Sequence, residues 1–159
     1  MDVLKHISIP MLAFLAITRE LSLFLLAVFT FGAIFPDFDV FFDEHRSYFH
    51  SLIFLTPLSL LSLWTHSMYL WLFTAGAAFH IFLDFFSGVI PFLYPIKKRG
   101  LGVKIMGLVV FESLPRLKIR YGLIIGYPER SKGSHTAFSN ESVAMLIVAL
   151  AALLLRLST

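Results

Sequence analysis

The chain has 159 residues, of which 58% are apolar and 14% are charged, and its formal net charge is +3 at pH 7. This balance, with a mean hydropathy of +0.83, is unusual for a soluble domain and typical of a membrane protein. Because the sequence contains no cysteine, a disulfide framework and a thiolate metal site are excluded, and a bound metal would need His, Asp or Glu ligands.

Apolar segments predict an all-α fold: a single integral membrane domain over 1–159, built as a bundle of about four to five short helices. The segments lie at 7–18, 21–35, 51–64, 68–86 and 142–157. Several are shorter than the roughly 20 residues that a perpendicular crossing needs. Either five short helices cross a locally thinned bilayer, or the first two segments form a re-entrant hairpin that does not fully cross. Asn140 and Glu141 predict the N-cap and first turn of the last helix.

The region 88–140 is polar, rich in proline and glycine, and predicted to be partly irregular. Within it, LKIRYGLII at 117–125 alternates enough to suggest short strands or a surface-lying loop. Nine of the thirteen Lys and Arg of the chain lie at 97–132, against two glutamates, which leaves seven excess positive charges. The positive-inside rule places this region in the cytoplasm, where it would also attract anionic lipids. A solvated topology signal that binds nothing is the alternative.

Most polar residues are predicted to meet at the cytoplasmic face if every apolar segment crosses and the chain alternates sides. They are His6, Asp37, Asp39, His45, His50, His80, Asp84 and His135. By the same alternation, Arg19, Glu20 and His66 fall on the opposite face.

Two local motifs supply this group with possible metal ligands. In HIFLD, an imidazole and a carboxylate four residues apart, His80 and Asp84, share one helix face inside an apolar segment. Burial of either group without a partner costs several kcal/mol. FPDFDVFFDEHRSYFHS, at 35–51, adds further carboxylates and imidazoles, and this mixture suits Zn²⁺, Mn²⁺ or Fe²⁺ better than Ca²⁺ or Mg²⁺. A purely structural His–Asp cluster is the alternative.

These motifs resemble the YdjM-type family of predicted membrane-bound, metal-dependent hydrolases. The shared pattern over roughly 1–95 is P-D-x-D, H-R-x-x-x-H-S, H-x-x-L-D and P-x-L-Y-P. That family is similar at a distance to zinc-dependent phospholipase C and the single-strand-specific zinc nucleases. The sequence departs from the pattern at Phe49, where the family usually has a small hydroxyl residue, and at Phe35, where it has leucine.

The distant similarity implies a site with several zinc ions, but the chain has too few further histidines for three. One or two divalent ions are therefore expected, with zinc first and manganese or iron as alternatives. The metal ligands that the resemblance implies are His6, Asp37 or Asp39, His50, His80 and Asp84, and His45 with Arg46 matches the His-Arg pair of the family. Asp39 is a candidate general base, Asp84 a candidate bridging ligand, and Arg46 a candidate phosphate-binding group. His45 is expected to be catalytic together with Asp39 and Arg46. Arg46 could instead pair with Asp43 or Glu44.

The predicted function is hydrolysis of a phosphate ester, in a lipid or lipid-linked substrate, by metal-activated water at the cytoplasmic face of the membrane. Anionic membrane lipids are expected partners, whereas nucleic acid is not, because the basic stretch matches no recognised nucleic-acid module. A proton- or metal-ion-coupled transporter is the alternative from another class, and it predicts polar groups spread through the depth of the helices. A scaffold with a saturated structural metal is a third hypothesis.

Overall fold

The computed structural model describes residues 3–42, 46–111, 115–128 and 139–158, with the backbone course alone at 40–42, 104–111 and 115–120. Within these residues it has five α-helices, a 3₁₀ segment and one two-stranded sheet. The helices are α1 Val3–Ile17, α2 Leu23–Ile34, α3 Leu52–Thr65, α4 Met68–Phe85 and α5 Asn140–Ser158. The 3₁₀ segment is Phe35–Phe42, and the strands are β1 Gly100–Phe111 and β2 Pro115–Gly126.

The predicted helices are confirmed, and their boundaries follow local capping chemistry. The hydroxyls of Ser22, Ser51 and Ser67 each accept a hydrogen bond from the backbone N–H three residues further on. These contacts satisfy free N–H groups at the starts of α2, α3 and α4. At α5 the cap is Ser139, which accepts from the N–H of Ser142 at 3.2 Å, so the predicted cap at Asn140 is wrong by one residue.

Residues 88–140 do not fit the all-α prediction, because β1 and β2 form a long antiparallel hairpin. Each strand has 12 residues. The register is continuous from the Gly100–Gly126 pair to the Phe111–Pro115 pair. The segment 117–125 lies in β2, which confirms the suggestion of strands there. Alternating aliphatic and basic residues favour such a pleated two-faced structure over a helix.

Close backbone packing joins α2 to α4. A Cβ placed on Gly32 would lie 2.1 Å from the carbonyl oxygen of Phe73, and one on Gly76 would lie 2.1 Å from that of Phe29. Small residues at such crossings let two backbones approach, as they do in membrane helix pairs. The crossing fixes the carboxyl-terminal half of α4 against the end of α2.

The amino-terminal helix α1 packs against α2 and α5. An apolar core fills this junction, with Met11, Phe14, Leu15, Leu26 and Ala149 all buried. At one end of the pair, Lys5 Nζ lies 3.1 Å from Glu141 Oε2. At the other end, Arg156 donates hydrogen bonds to the carbonyls of Leu15, Thr18 and Arg19. Its positive charge stabilises the carboxyl-terminal end of α1, where the helix dipole is negative.

Two helices, α4 and α5, are long and apolar enough to cross a membrane, judged by length and composition. The other three are shorter, at 15 residues in α1, 12 in α2 and 14 in α3. A crossing normally takes about 20 residues. Four to five crossings, and a multi-pass topology, therefore stay predictions.

Candidate metal centre

Six of the predicted site residues are brought together at one end of the helices. Two come from α4, one from α1, two from the 3₁₀ segment and one from the residue two positions before α3. Five of them are 0% exposed, and the sixth, Asp37, is half-buried. The six are His6, Asp37, Asp39, His50, His80 and Asp84.

Asp39 organises the loop that carries His50. Its carboxylate accepts hydrogen bonds from the backbone N–H groups of Ser47, at 2.7 Å, and Phe49, at 3.1 Å. It also lies 2.9 Å from His50 Nδ1. Because a carboxylate can only accept, Nδ1 of His50 carries the proton and donates it to Asp39. In the neutral ring, Nε2 then presents a lone pair to the centre of the cluster.

His80 is oriented in the same way by a backbone carbonyl. Its Nδ1 lies 2.6 Å from the oxygen of Ala33, which also can only accept, so Nδ1 is again the protonated nitrogen. The two Nε2 atoms of His50 and His80 are 3.0 Å apart. Two neutral rings held in these tautomers would direct lone pairs at each other, and a cation between them would remove that repulsion.

Asp84 completes a group of three donors with His50 and His80. Its Oδ2 lies 3.4 Å from His50 Nε2 and 3.7 Å from His80 Nε2. A tetrahedral ion with Zn–N and Zn–O bonds near 2.0–2.1 Å separates its ligands by roughly 3.3 Å. The three donor separations therefore fit the first coordination shell of one small divalent cation.

A second group of potential ligands consists of His6, Asp37 and His80, whose donor atoms all lie within 4.8 Å of one another. His80 Nε2 is 3.6 Å from Asp37 Oδ1, and the rings of His6 and His80 stack with centroids 3.9 Å apart. Both ring nitrogens of His6 and Oδ2 of Asp37 are buried without a hydrogen-bond partner among the described residues. Buried polar atoms in this condition are costly unless a ligand satisfies them.

Two acid–base groups of the site that lie outside the long helices, Asp37 and His50, both have a raised pKa. Burial raises the pKa of Asp37, because desolvation disfavours its carboxylate. At His50, burial by itself lowers the pKa, but hydrogen bonds to Asp39 and Asp84 outweigh it and raise the pKa. Both groups thus tend to hold a proton, and a metal ion would compete with that proton for the same sites.

Arg46 closes the cluster from the loop side. Its Nε lies 2.9 Å from Asp84 Oδ2, and its Nη2 donates to the hydroxyl of Ser87 at 2.9 Å. Its backbone has a φ of 60°, an uncommon conformation for a residue with a side chain. The guanidinium therefore pairs with a candidate ligand, while Asp43 and Glu44, the partners considered from sequence, lie outside the described residues.

His45 and His135 lie outside the described residues, so the catalytic role expected of His45 stays a prediction. His66 ends α3, away from the carboxyl end of α4.

Sequence reasoning assigned no role to Ser87 or to the Ala33 carbonyl. Ser87 is a polar residue three positions after Asp84 and could be recognised from the sequence, whereas a backbone carbonyl leaves no signal there.

Family comparison agrees with the apolar, membrane-protein character of the chain. The model of the YdjM inner membrane protein family matches residues 1–158, well beyond the stretch 1–95 that carries the motifs. No curated protein and no solved structure matched the chain. Because the family match covers nearly the whole sequence, including the hairpin and α5, the chain belongs to the YdjM inner membrane protein family.

Proposed function

We propose that this inner membrane protein is a metal-dependent hydrolase that cleaves a phosphate ester of a lipid or lipid-linked substrate. The observation that carries the proposal is the 3.0 Å separation of His50 Nε2 and His80 Nε2. Each ring commits its other nitrogen to an acceptor, Asp39 or the Ala33 carbonyl. When both rings are neutral, their lone pairs face each other next to the buried Asp84 carboxylate, and a cation can take the place of the proton that His50 otherwise tends to hold.

His50, His80 and Asp84 are the ligands we assign to one ion. Three protein ligands are the usual number in catalytic zinc sites, which leave a position for water or substrate, whereas structural sites have four. Two imidazoles and a carboxylate suit zinc, and also Fe²⁺ or Mn²⁺. Both candidate groups use His80, and its single Nε2 lone pair binds one ion, which supports one ion over two.

Asp39 and Arg46 then have positioning roles. Asp39 holds the His50 tautomer through Nδ1, and its oxygens already accept hydrogen bonds from the loop. Arg46 balances the negative charge of Asp84 and fixes its orientation. These contacts favour an orienting role over the base and phosphate-binding roles considered from sequence.

Asp37 is the group we assign to accept the proton of the attacking water. Its Oδ2 is buried without a hydrogen-bond partner among the described residues, and burial raises its pKa, as expected of a general base. A bound divalent ion would supply Lewis acidity and lower the pKa of a water ligand towards neutrality.

A membrane-borne phosphate is supported by the location of the cluster. His80 and Asp84 lie near the carboxyl end of α4, a helix of membrane-spanning length. The basic stretch 97–132 follows directly in the sequence and favours an anionic headgroup. The grouping of the donors at one end of the helices favours a hydrolase over the alternative transporter, which would need polar groups through the membrane depth.

The test is metal content by mass spectrometry, followed by phosphate release from phosphatidic acid in mixed micelles. We expect near-stoichiometric zinc, iron or manganese and lipid phosphatase activity in the wild type, and loss of both in His80→Ala. The matched control is His66→Asn, at an exposed histidine outside the cluster, where asparagine tolerates the left-handed backbone. Folded, metal-free wild type would favour the transporter, and metal-loaded protein that cleaves only soluble phosphoesters would refute the lipid substrate.

A further inference from the structure

The hairpin of β1 and β2 places all of its basic residues on one face and leaves the other face without charge. Because its register is continuous, the odd-numbered positions of both strands share one face and the even-numbered positions share the other. Leu101 pairs with Ile125, and Val103 pairs with Leu123. No position of the odd face carries a charged residue in the sequence.

The even face is mixed: it carries the basic residues of the two strands together with four apolar residues and four glycines. Four of its positions are basic and none is acidic. They are Lys104, Arg116, Lys118 and Arg120. An antiparallel pair with one uncharged face and all of its cations on the other resembles an amphipathic interfacial helix.

The described part of the odd face is exposed. Tyr121 is 84% exposed, Leu123 65% and Ile125 61%. Leu101, which pairs with Ile125, is also exposed. Contiguous apolar surface of this kind marks an interaction site.

A cavity at the base of the hairpin continues the same face. It has a volume of about 510 Å³ and is lined by Leu101 and Ile125 together with two cations, Lys97 and Arg99. Apolar walls beside paired cations match the chemistry of a phospholipid, with an acyl chain against Leu101 and Ile125 and a phosphate near the cations.

The base of the hairpin is tied to the segment that follows Asp84. Ile90 and Leu101 exchange backbone hydrogen bonds of 2.9 and 3.1 Å. A Cβ on Gly102 would lie 1.9 Å from the carbonyl oxygen of Gly88, so only glycine allows this approach. The base of the hairpin is therefore held against the segment that follows α4.

We propose that the odd face of the hairpin inserts into the interfacial layer of a bilayer containing anionic phospholipid, and that the basal cavity holds one such lipid. The even face then lies at headgroup depth, where its basic residues meet lipid phosphates. The hairpin lies in the plane of the membrane, because the unpaired strand edges of an isolated pair are not tolerated in the hydrocarbon core. Strands of this length span about 40 Å, which gives a broad contact.

An anionic bilayer is favoured over a second copy of the chain by charge. The stretch 97–132 carries nine basic residues and two acidic ones. Lipid phosphates complement this charge, whereas the same stretch of a second copy is equally basic and offers no complement to it. The inference goes beyond the proposed hydrolase and requires neither a metal nor turnover.

The experiment uses two single-cysteine variants of the full chain, Leu123→Cys on the odd face and Gly122→Cys on the even face. The sequence has no native cysteine to remove. A side chain at 122 meets nothing within 4 Å, and Leu123 is exposed, so both variants are expected to fold. Each is spin-labelled and reconstituted in phosphatidylcholine vesicles with or without phosphatidylglycerol. Relaxation by oxygen, which partitions into lipid, is compared with relaxation by a water-soluble nickel chelate.

We expect the label at 123 to be accessible to oxygen and protected from nickel, and the label at 122 to show the reverse. Phosphatidylglycerol should increase the depth of the label at 123 in the bilayer, and high salt should reduce that increase. Nickel access at both positions would overturn the inference. Protection of 123 from both reagents with spin–spin broadening would identify a second copy instead, and equal depth in both vesicles would overturn the preference for anionic lipid.

Discussion

Two regions of the apolar sequence carry charged residues, and they differ in whether the structure buries them or leaves them exposed. In the His/Asp cluster, defined here by His6, Asp37, His50, His80 and Asp84, the groups are buried and face one another within 3–4 Å. In the hairpin, the described apolar side chains face outwards, and the basic positions share the opposite face. Buried charges must find partners inside the fold, whereas an exposed two-faced surface finds its partner outside it.

The largest difference between the two regions is expected in the free energy of unfolding when one charged group is neutralised in each. Asp84→Asn removes a candidate ligand and leaves the Arg46 guanidinium without its carboxylate, which should cost about 3–5 kcal/mol of unfolding free energy and abolish metal binding. Arg99→Gln, at the exposed base of the hairpin, should change stability by less than about 0.5 kcal/mol. Denaturant unfolding in micelles and metal analysis measure both. Equal stability losses would break the comparison.

Within the cluster, substitution of Asp37 should affect activity but not metal binding, whereas substitution of a ligand should affect both. Asp37→Asn should lower phosphate release by about 10²–10⁴-fold, the usual contribution of a general base, with metal content unchanged. Single-turnover assays on metal-loaded protein measure this loss. If the variant is purified without metal, Asp37 is a ligand rather than the proton acceptor.

Asp39→Asn tests whether Asp39 acts through His50. The neutral amide accepts more weakly from His50 Nδ1 and no longer enforces the tautomer, so metal affinity should fall about 10–100-fold. Competition with a chromogenic chelator gives the affinity. Unchanged affinity would show that the His50 orientation comes from loop packing alone.

The same substitution at two glycines compares the regions by packing. Gly76→Ala places a methyl group against the Phe29 carbonyl and should lower the unfolding free energy by about 1–3 kcal/mol. Gly122→Ala in the hairpin meets open space and should change it by less than about 0.5 kcal/mol. Thermal unfolding by circular dichroism ranks the two variants. A destabilising Gly122→Ala would mean that the hairpin packs against another surface.

The smallest effect is expected at the basal cavity. Lys97→Gln and Arg99→Gln should each weaken phosphatidylglycerol binding about fivefold, since one basic residue near an anionic surface contributes about 1 kcal/mol. The affinity for phosphatidylglycerol is measured from the quenching of a fluorescent phosphatidylglycerol when it binds to the protein in nanodiscs. The matched control is Lys5→Gln, which removes a basic residue on α1. Equal effects of all three substitutions would point to net charge rather than to the cavity.

Much of the fold was predictable because helices and strands have different periods and caps are local. Long apolar runs predicted five helices, and serine residues before three of them set the boundaries. The hairpin was harder to predict, because its apolar face and its glycines read equally as an irregular loop. Whether this segment forms a hairpin or an irregular loop depends on pairing between residues up to 26 positions apart, as in Gly100 with Gly126.

The sequence by itself determined the chemistry that this protein can hold: nitrogen and oxygen donors without thiols, set in apolar helices, and a basic stretch after α4. It also indicated, from helix ends, that the donors would meet. Only the tertiary structure decided which donors face each other. The Ala33 carbonyl and the Asp39 carboxylate fix which nitrogen each imidazole presents, and such contacts depend on how helices cross, which a one-dimensional pattern does not record.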